Sequence, residues 1–384
     1  MEKLALEAIF FREFYKKPSH FLSVPGRINL IGEHTDYNGG LVLPVAIDLT
    51  LNAALKSHTD DTVIVYSDDM QERKEFKIGN IDRASVAQTV AYEKYIKSCL
   101  FYLKEKLNCQ LGYSIAFKSN IPMGAGLSSS AAFILANLTA GLIANNKAIN
   151  RELLPFFVQE IENDFMGLSS GIMDPLIICL AKKNHALYYD CDSRLKNYIE
   201  LPKELGLIVI DTLTKRSLTH SAYNQRHAEC MRAAEEVGVK NLSQLTYPKL
   251  VGLKNNFSTE VLYNRALHLV QENARVRQSL KELANGNIAA FGALITESHA
   301  SLRDLFEVSS VELNHAVATV MRSKYCLGAR MMGAGFAGCV MAVCNRNQLE
   351  NLQHETQKAF NAQGKAPKLY AVEARSGFEF SNLR

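Results

Sequence analysis

The stretch YSIAFKS (residues 113–119) alternates polar and apolar side chains as a half-buried strand does. It passes through a glycine- and serine-rich turn, PMGAGLSSS (122–130), directly into the strongly helical AAFILANLTAGLIAN (131–145). A strand handed to a helix through small residues requires a fold that uses both elements. Strand-like segments precede it: FLSVPGRINLIG (21–32), LVLPVAIDLTLNAALKS (41–57) and TVIVYSDD (62–69), rich in Val, Ile and Leu. Residues 91–107 have helical periodicity, with Tyr92, Tyr95, Ile96, Leu100 and Leu103 on one side, and further helices are expected over 152–165 and 175–182. HALYYDCD (185–192) and LGLIVIDT (205–212) read as strands. From about Ser221 the chain turns mainly helical, then ends in strand-like GARMMGAGFAGCVMAVC (328–344) and KLYAVEAR (368–375) with a helix between. Strands and helices mix without a regular βαβ rhythm, which points to an α+β fold rather than a doubly wound parallel sheet. A length of 384 residues suits two domains, divided near residue 200.

Composition excludes several classes. Hydrophobic residues are 47% and charged residues 21%, enough for two buried cores, so disorder is not the reading. The net charge of +4 is spread along the chain, too weak for nucleic acid and compatible with an anionic small molecule. Eight cysteines form no C-x-x-C pair and no zinc-spaced cluster, which suggests free thiols in a reducing, cytoplasmic compartment. The first 17 residues form an amphipathic surface helix rather than a signal sequence, and no run reaches membrane-spanning length.

Three segments carry chemistry. In PMGAGLSSSAA (122–132) small residues let backbone approach a ligand, and the free N–H groups of the following helical turn suit a phosphate. Ser130 is placed to reach a phosphate oxygen or its metal. On its own such a turn more often reads as a helix cap, and it is not a Walker loop, because no Gly-Lys-Ser/Thr follows. In PGRINLIGEHTDYNGG (25–40), Arg27, Glu33, His34 and Asp36 crowd one glycine-bounded loop, the groups that discriminate among sugar hydroxyls. GARMMGAGFAGC (328–339) is a glycine loop leading into an apolar strand, weak alone, with the functional reading of a second surface closing over phosphates. Between them, IENDFMGLSSGIMDP (161–175) places Asp174 before Pro175 and a helical run, so that Asp174 reads as a helix cap with Pro175 at the first helical position, while its carboxylate can still face a site. Glu162 reads as a magnesium ligand or as a surface charge.

Together these segments resemble the GHMP superfamily of small-molecule kinases, and within it the galactokinase family. GRINLIGEHTDY resembles that family's signature, PMGAGLSSSAA its phosphate loop and GARMMGAGFAGC its third motif; KKNHALYYDC, SAYNQR, RALHLVQENAR and ESHASLRDLFEVS extend the similarity over nearly the whole chain. The resemblance implies an N-terminal ribosomal-protein-S5-domain-2-like domain (1–200) with the sugar and phosphate loops, and a C-terminal ferredoxin-like GHMP domain (201–384). The active site would lie in the cleft between them. It implies a monomer that transfers phosphate from ATP, with Mg2+, to the C1 hydroxyl of D-galactose, the first step of galactose catabolism. By position, Asp174 matches the catalytic aspartate and Arg27 its partner. Arg27, Glu33, His34, Thr35, Asp36, Gly171, Asp174 and Tyr223 match sugar-binding positions. Ser67, Gly124, Ala125, Gly126, Leu127, Ser128, Ser129 and Ser130 match nucleotide positions, and Ser130 and Glu162 the metal ligands.

The chain departs from the family pattern at Asp68-Asp69, at Ser169-Ser170 in place of Asn-Cys, and at Pro175 in place of Gln. It departs also at Ala222, Leu305, Met332 and Ala337. Pro175 biases Asp174 away from the α region, and Ala337 is penalised wherever the loop requires positive φ. Two rivals follow: a kinase for a related sugar, N-acetylgalactosamine or L-arabinose, and a catalytically silent sugar-and-ATP sensor.

Overall fold

The computed structural model describes residues 2–214 and 219–382. It is an α+β structure whose largest sheet has six strands, in the order Glu379–Asn382, His20–Asn29, Pro44–Ser57, Tyr113–Ser119, Thr62–Ser67 and Glu72–Lys77. All pairs are antiparallel except Thr62–Ser67 with Tyr113–Ser119. The last described strand thus returns from the far end of the chain to pair with residues 20–23. The segment 201–384, expected as a separate unit, therefore gives one strand to the first sheet. That strand covers an edge that would otherwise present unpaired backbone.

Helix Ser129–Ala144 is buried on nearly every side, as its uniformly apolar sequence demands. A Cβ on Gly141 would lie 2.3 Å from Leu103 Cδ1, so glycine is what lets helix Ala91–Glu105 pack this closely. Buried this way, the helix fixes the turn that precedes it.

A second sheet has four antiparallel strands, ordered Gly328–Met331, Cys339–Asn345, Leu205–Asp211 and Lys368–Val372. Its two central strands, Cys339–Asn345 and Leu205–Asp211, read as continuous apolar runs because both faces are covered. Leu207, Val209, Met341 and Val343 join the core of the first sheet, while Ile208, Ile210, Val340 and Ala342 face a second core of helices. Helix Glu260–Ala284, 25 residues long, runs through both: Leu262, Ala266 and Leu269 pack in the second core, Val276 and Leu283 in the first. Helix Ile288–Asp304 does the same, with Ile288, Phe291 and Ile295 in the first core and Leu302 in the second. Among the described residues, no helix is long and apolar enough to cross a membrane.

Candidate active site

Strand His20–Asn29 slips register against Pro44–Ser57 between Pro25 and Gly26. At this bulge Arg27 N–H donates to Leu127 O at 3.2 Å, and a Cβ on Gly26 would lie 2.9 Å from the same oxygen. The bulge therefore seats the turn at residues 122–130 against the strand and sends the buried Arg27 side chain beneath it. Arg27 Nε and Nη2 donate to the two oxygens of Asp174 at 2.7 and 2.5 Å, and Nη1 donates to the Gly126 carbonyl. One planar fork thus joins the glycine/serine turn to helix Met173–Leu180.

That helix begins one residue before Asp174, which corrects the expected cap. Asp174 is the second helical residue and makes no capping hydrogen bond, because its carboxylate is engaged by Arg27 and by Ser128 Oγ, which donates to Oδ2 at 2.5 Å. Pro175 stands third rather than first and does not keep Asp174 out of the helix; first-turn N–H groups have no intrahelical partner, so the missing donor removes no helical bond.

Ser128 is itself left-handed, with φ 64°, and precedes helix Ser129–Ala144 without capping it. The N–H groups of that first turn lack a side-chain cap and remain for a ligand. Ser130 Oγ donates to Glu162 Oε1 at 3.2 Å, and Ser170 Oγ donates to Glu162 Oε2 at 3.3 Å. Glu162 is buried rather than a surface charge. Burial first, then the nearby charge of Asp174, raise its pKa to about 7.

The loop after strand His20–Asn29 turns through Gly32 (φ 95°) and His34 (φ 62°) and is almost wholly buried. A Cβ on Gly171 would lie 1.8 Å from Asp36 Oδ2, so only glycine fits there. The same oxygen accepts the Met173 N–H at 3.3 Å. Burial, with Asp174 close by, lifts Asp36 to about 6. His34 Nδ1 and the Tyr37 hydroxyl share a hydrogen bond at 2.8 Å, and burial lowers the imidazole to about 3, so it is neutral. Glu33 accepts from Asn29 Nδ2 at 3.2 Å, Arg330 Nη2 at 3.2 Å and Gly333 N–H at 2.8 Å; burial pushes its carboxyl upward against the pull of Arg330 and Arg27.

These side chains surround one cavity of about 380 Å3. Of the residues expected from sequence, Arg27, Glu33, His34, Asp36, Gly124, Gly126, Ser128, Ser129, Ser130, Glu162, Gly171, Asp174 and Tyr223 line it, joined by Tyr95, Leu168, Ser170, Met173, Gly333 and Ala334. Four others do not line it. Thr35 Oγ1 donates to the Gly32 and Leu41 carbonyls, Ala125 and Leu127 of the turn pack in the core, and Ser67 Oγ accepts the Met70 N–H at 3.4 Å. In the third motif the positive-φ positions are Gly333, Gly335, Phe336 and Gly338, so Ala337 meets no penalty.

Residue-type reasoning did not single out the supports of the loop after strand His20–Asn29. Glu272 Oε1 accepts the N–H groups of Gly32 and Glu33 at 3.0 and 3.4 Å, and Asn273 Oδ1 accepts Leu41 N–H at 2.9 Å. His268 Nε2 lies 3.3 Å from the Glu33 carbonyl. Burial alone would raise Glu272, but Arg275 first among its neighbours holds it at about 2. His268, Glu272 and Arg275 fall on one face of helix Glu260–Ala284, a spacing visible in sequence that does not distinguish a buried stripe from a solvated one.

Comparison with known proteins agrees with this geometry. Residues 9–57 match the galactokinase galactose-binding signature, 94–182 the GHMP kinases N terminal domain and 279–362 the GHMP kinases C terminal model. A galactokinase from Roseiflexus sp. (strain RS-1) is 36% identical over 96% of this chain and 94% of its own. One from Staphylococcus saprophyticus is 37% identical over 92% and 93%. The crystal structure of Lactococcus lactis galactokinase complexed with galactose superposes with a TM-score of 0.91 at 30% identity, covering 99% of this chain and all (100%) of that one. A mevalonate kinase at 20% identity and TM-score 0.68 shares the fold. Similarity on this scale, running from the sugar loop through to the third glycine motif, places the chain in the galactokinase family of GHMP small-molecule kinases.

Proposed function

We propose that the protein transfers the γ-phosphoryl group of ATP to the C1 hydroxyl of D-galactose, giving galactose 1-phosphate and ADP. The observation that carries this is the position of Asp174. Its carboxylate, gripped by Arg27 and Ser128, lies where the glycine/serine turn meets the polar loop of Glu33, His34 and Asp36. The chain divides near residue 200. The first part supplies both loops, and the second closes the cleft with Tyr223, Gly333 and Ala334.

Phosphoryl transfer depends on positioning and charge neutralisation more than on covalent chemistry. The open N–H groups at the start of helix Ser129–Ala144 hold the phosphates. Asp36, Glu33 and His34 orient the sugar so that its C1 oxygen forms a bond to the γ-phosphorus as the bond to the ADP oxygen breaks. A carboxylate has about four lone-pair sites. Three donors occupy Asp174, leaving one site for the C1 hydroxyl, whose proton it accepts. Arg27 faces the charge that builds on the transferring group.

Ser130 and Glu162 suit a magnesium ion. The pair offers hard oxygens within 3.2 Å of each other, and Glu162 is a buried carboxylate that burial and the charge of Asp174 make costly to ionise, a setting that a cation would relieve. Bound there, the ion would supply charge neutralisation at the ATP phosphates. Its remaining ligands would be phosphate oxygens and water, since no cluster of three or more His, Cys, Asp or Glu suited to a metal occurs among the described residues. Eight cysteines outside any disulfide, six of them buried, suit a reducing cytoplasmic setting. We take the protein to act as a monomer on these small-molecule substrates.

The test is a coupled ADP-release assay with magnesium across a panel of free sugars. Galactose should turn over best. Preference for N-acetylgalactosamine or L-arabinose would reassign the substrate, and binding of galactose and ATP without ADP release would make the protein a sensor.

A further inference from the structure

Arg330 is among the largest side chains with no exposure, and it lies on the edge strand Gly328–Met331 of the second sheet. Its guanidinium crosses to the first domain. Nε donates to Leu30 O at 3.1 Å, while Nη2 donates to the Asn29 carbonyl and to Glu33 Oε1, the latter at 3.2 Å. Three residues further on, the Gly333 N–H donates to the same Glu33 oxygen at 2.8 Å. One short segment of the second domain thus holds one oxygen of a carboxylate in the first. Glu33 lines the cavity from the sugar loop, and Gly333 lines it from the glycine loop.

A buried arginine is unfavourable unless its donors are used. Here Nε and Nη2 are spent on the root of the sugar loop rather than on the strand's own neighbour, while Nη1 is buried without a hydrogen-bond partner. We propose that Arg330 is a positioning residue that couples the two substrate subsites: by holding Glu33 Oε1 beside the Gly333 N–H, it sets the sugar loop and the glycine loop in their binding geometry together. The inference rests on the functional reading above and adds to it an energetic link between sugar and nucleotide. When Gly333 is drawn toward a nucleotide, Glu33 is drawn with it, and the converse holds by linkage. A lysine at this position keeps the charge but cannot span two carbonyls and a carboxylate.

The experiment is calorimetric titration of galactose into wild type, Arg330→Lys and Arg330→Met. Each is measured with and without a saturating non-hydrolysable ATP analogue and magnesium, with a thermal melt of each protein. Wild type should bind galactose at least about fivefold tighter with the analogue, the lower end of usual coupling factors. Arg330→Met should lose that enhancement and bind galactose about tenfold more weakly; Arg330→Lys should recover part of both. A folded Arg330→Met with undiminished enhancement overturns the proposal, as does a loss confined to melting temperature. If Arg330→Met does not fold, Glu33→Ala removes the shared acceptor and breaks the link from its other end, and enhancement retained there overturns it equally. Wild type that binds galactose indifferently to the analogue removes the coupling alone. Wild type that binds no galactose removes the functional reading, and the coupling with it.

Discussion

Asp174 receives Arg27 through both oxygens and Ser128 through one, and this convergence makes its replacement specific in effect. Asp174→Asn should reduce kcat by ~10²–10⁴, the range for loss of a general base. The fold should persist, because helix Met173–Leu180 draws no capping bond from that side chain; rapid-quench turnover beside a circular dichroism melt checks both halves. At Gly171 any Cβ would collide with Asp36 Oδ2 at 1.8 Å. Gly171→Ala should therefore weaken galactose binding by roughly 1–3 kcal/mol, the cost of disturbed buried hydrogen bonds, and leave ATP affinity unchanged; equal losses for both ligands in calorimetry would contradict it. The raised pKa values have a sign that can be worked out. Asp36 rises from 3.8 to about 6 and Glu162 from 4.5 to about 7, so the folded, ligand-free protein binds their protons more tightly than the unfolded chain does. The stability they contribute is complete below their ordinary values and is lost as pH rises through 6 and 7. Glu272, held at about 2, works in the opposite direction and matters only in acid, below its ordinary 4.5. These carboxyls alone would make melting of the free protein decline from about pH 5 to 8. His34, His268 and His299, which burial lowers from 6.5 to about 3, 4 and 4, oppose them below 6.5, so the net decline should appear between about pH 6.5 and 8. Magnesium and nucleotide should stabilise it increasingly over that interval, because Glu162 must release its proton to meet a cation. A melt series flat across that range, with and without ligands, would refute the assignment.

Helix Glu260–Ala284 shows at the scale of elements what sequence conveys and what it withholds. The helical character of this stretch was plain, and so were the strand, turn and helix around residues 113–145. The charged face of His268, Glu272 and Arg275 looks in sequence like a solvated stripe. It is buried because the helix lies between two cores and against the sugar loop, a tertiary fact that helical spacing cannot express. Strands Glu72–Lys77, Lys196–Glu200 and Glu379–Asn382 escaped notice for a related reason: their side chains are largely exposed, so backbone pairing rather than an apolar face defines them. The cap assigned to Asp174 was misplaced by two positions for Pro175 because residue type indicates a helix start only approximately. Glu272→Ala tests the helix as a support. Removing one partner of this buried pair should lower unfolding free energy by ~3–5 kcal/mol, read by urea denaturation. Galactose affinity should also fall, because the Gly32 and Glu33 N–H groups lose their acceptor.

For the whole molecule, two domains were expected, and the motifs indicated which residues would meet, but not how tightly the halves are joined. The second sheet buries one face in the first domain's core, and two helices thread both cores. Opening the cleft by separating the domains would expose that shared interior. We expect one cooperative unfolding transition in scanning calorimetry, with calorimetric and van't Hoff enthalpies in agreement; two resolved transitions would show the halves to be independent. The clustering of site residues was legible because each loop carries its chemistry in consecutive positions. The bond from Gly333 to Glu33 was not, since it joins residues 300 positions apart. The pairing of residues 379–382 with residues 20–23 is equally distant in sequence and has a consequence during synthesis. A nascent chain must carry an open sheet edge beside its first strand until residues 379–382 have emerged from the ribosome, and over that interval it is exposed to edge-to-edge association and in need of chaperone cover.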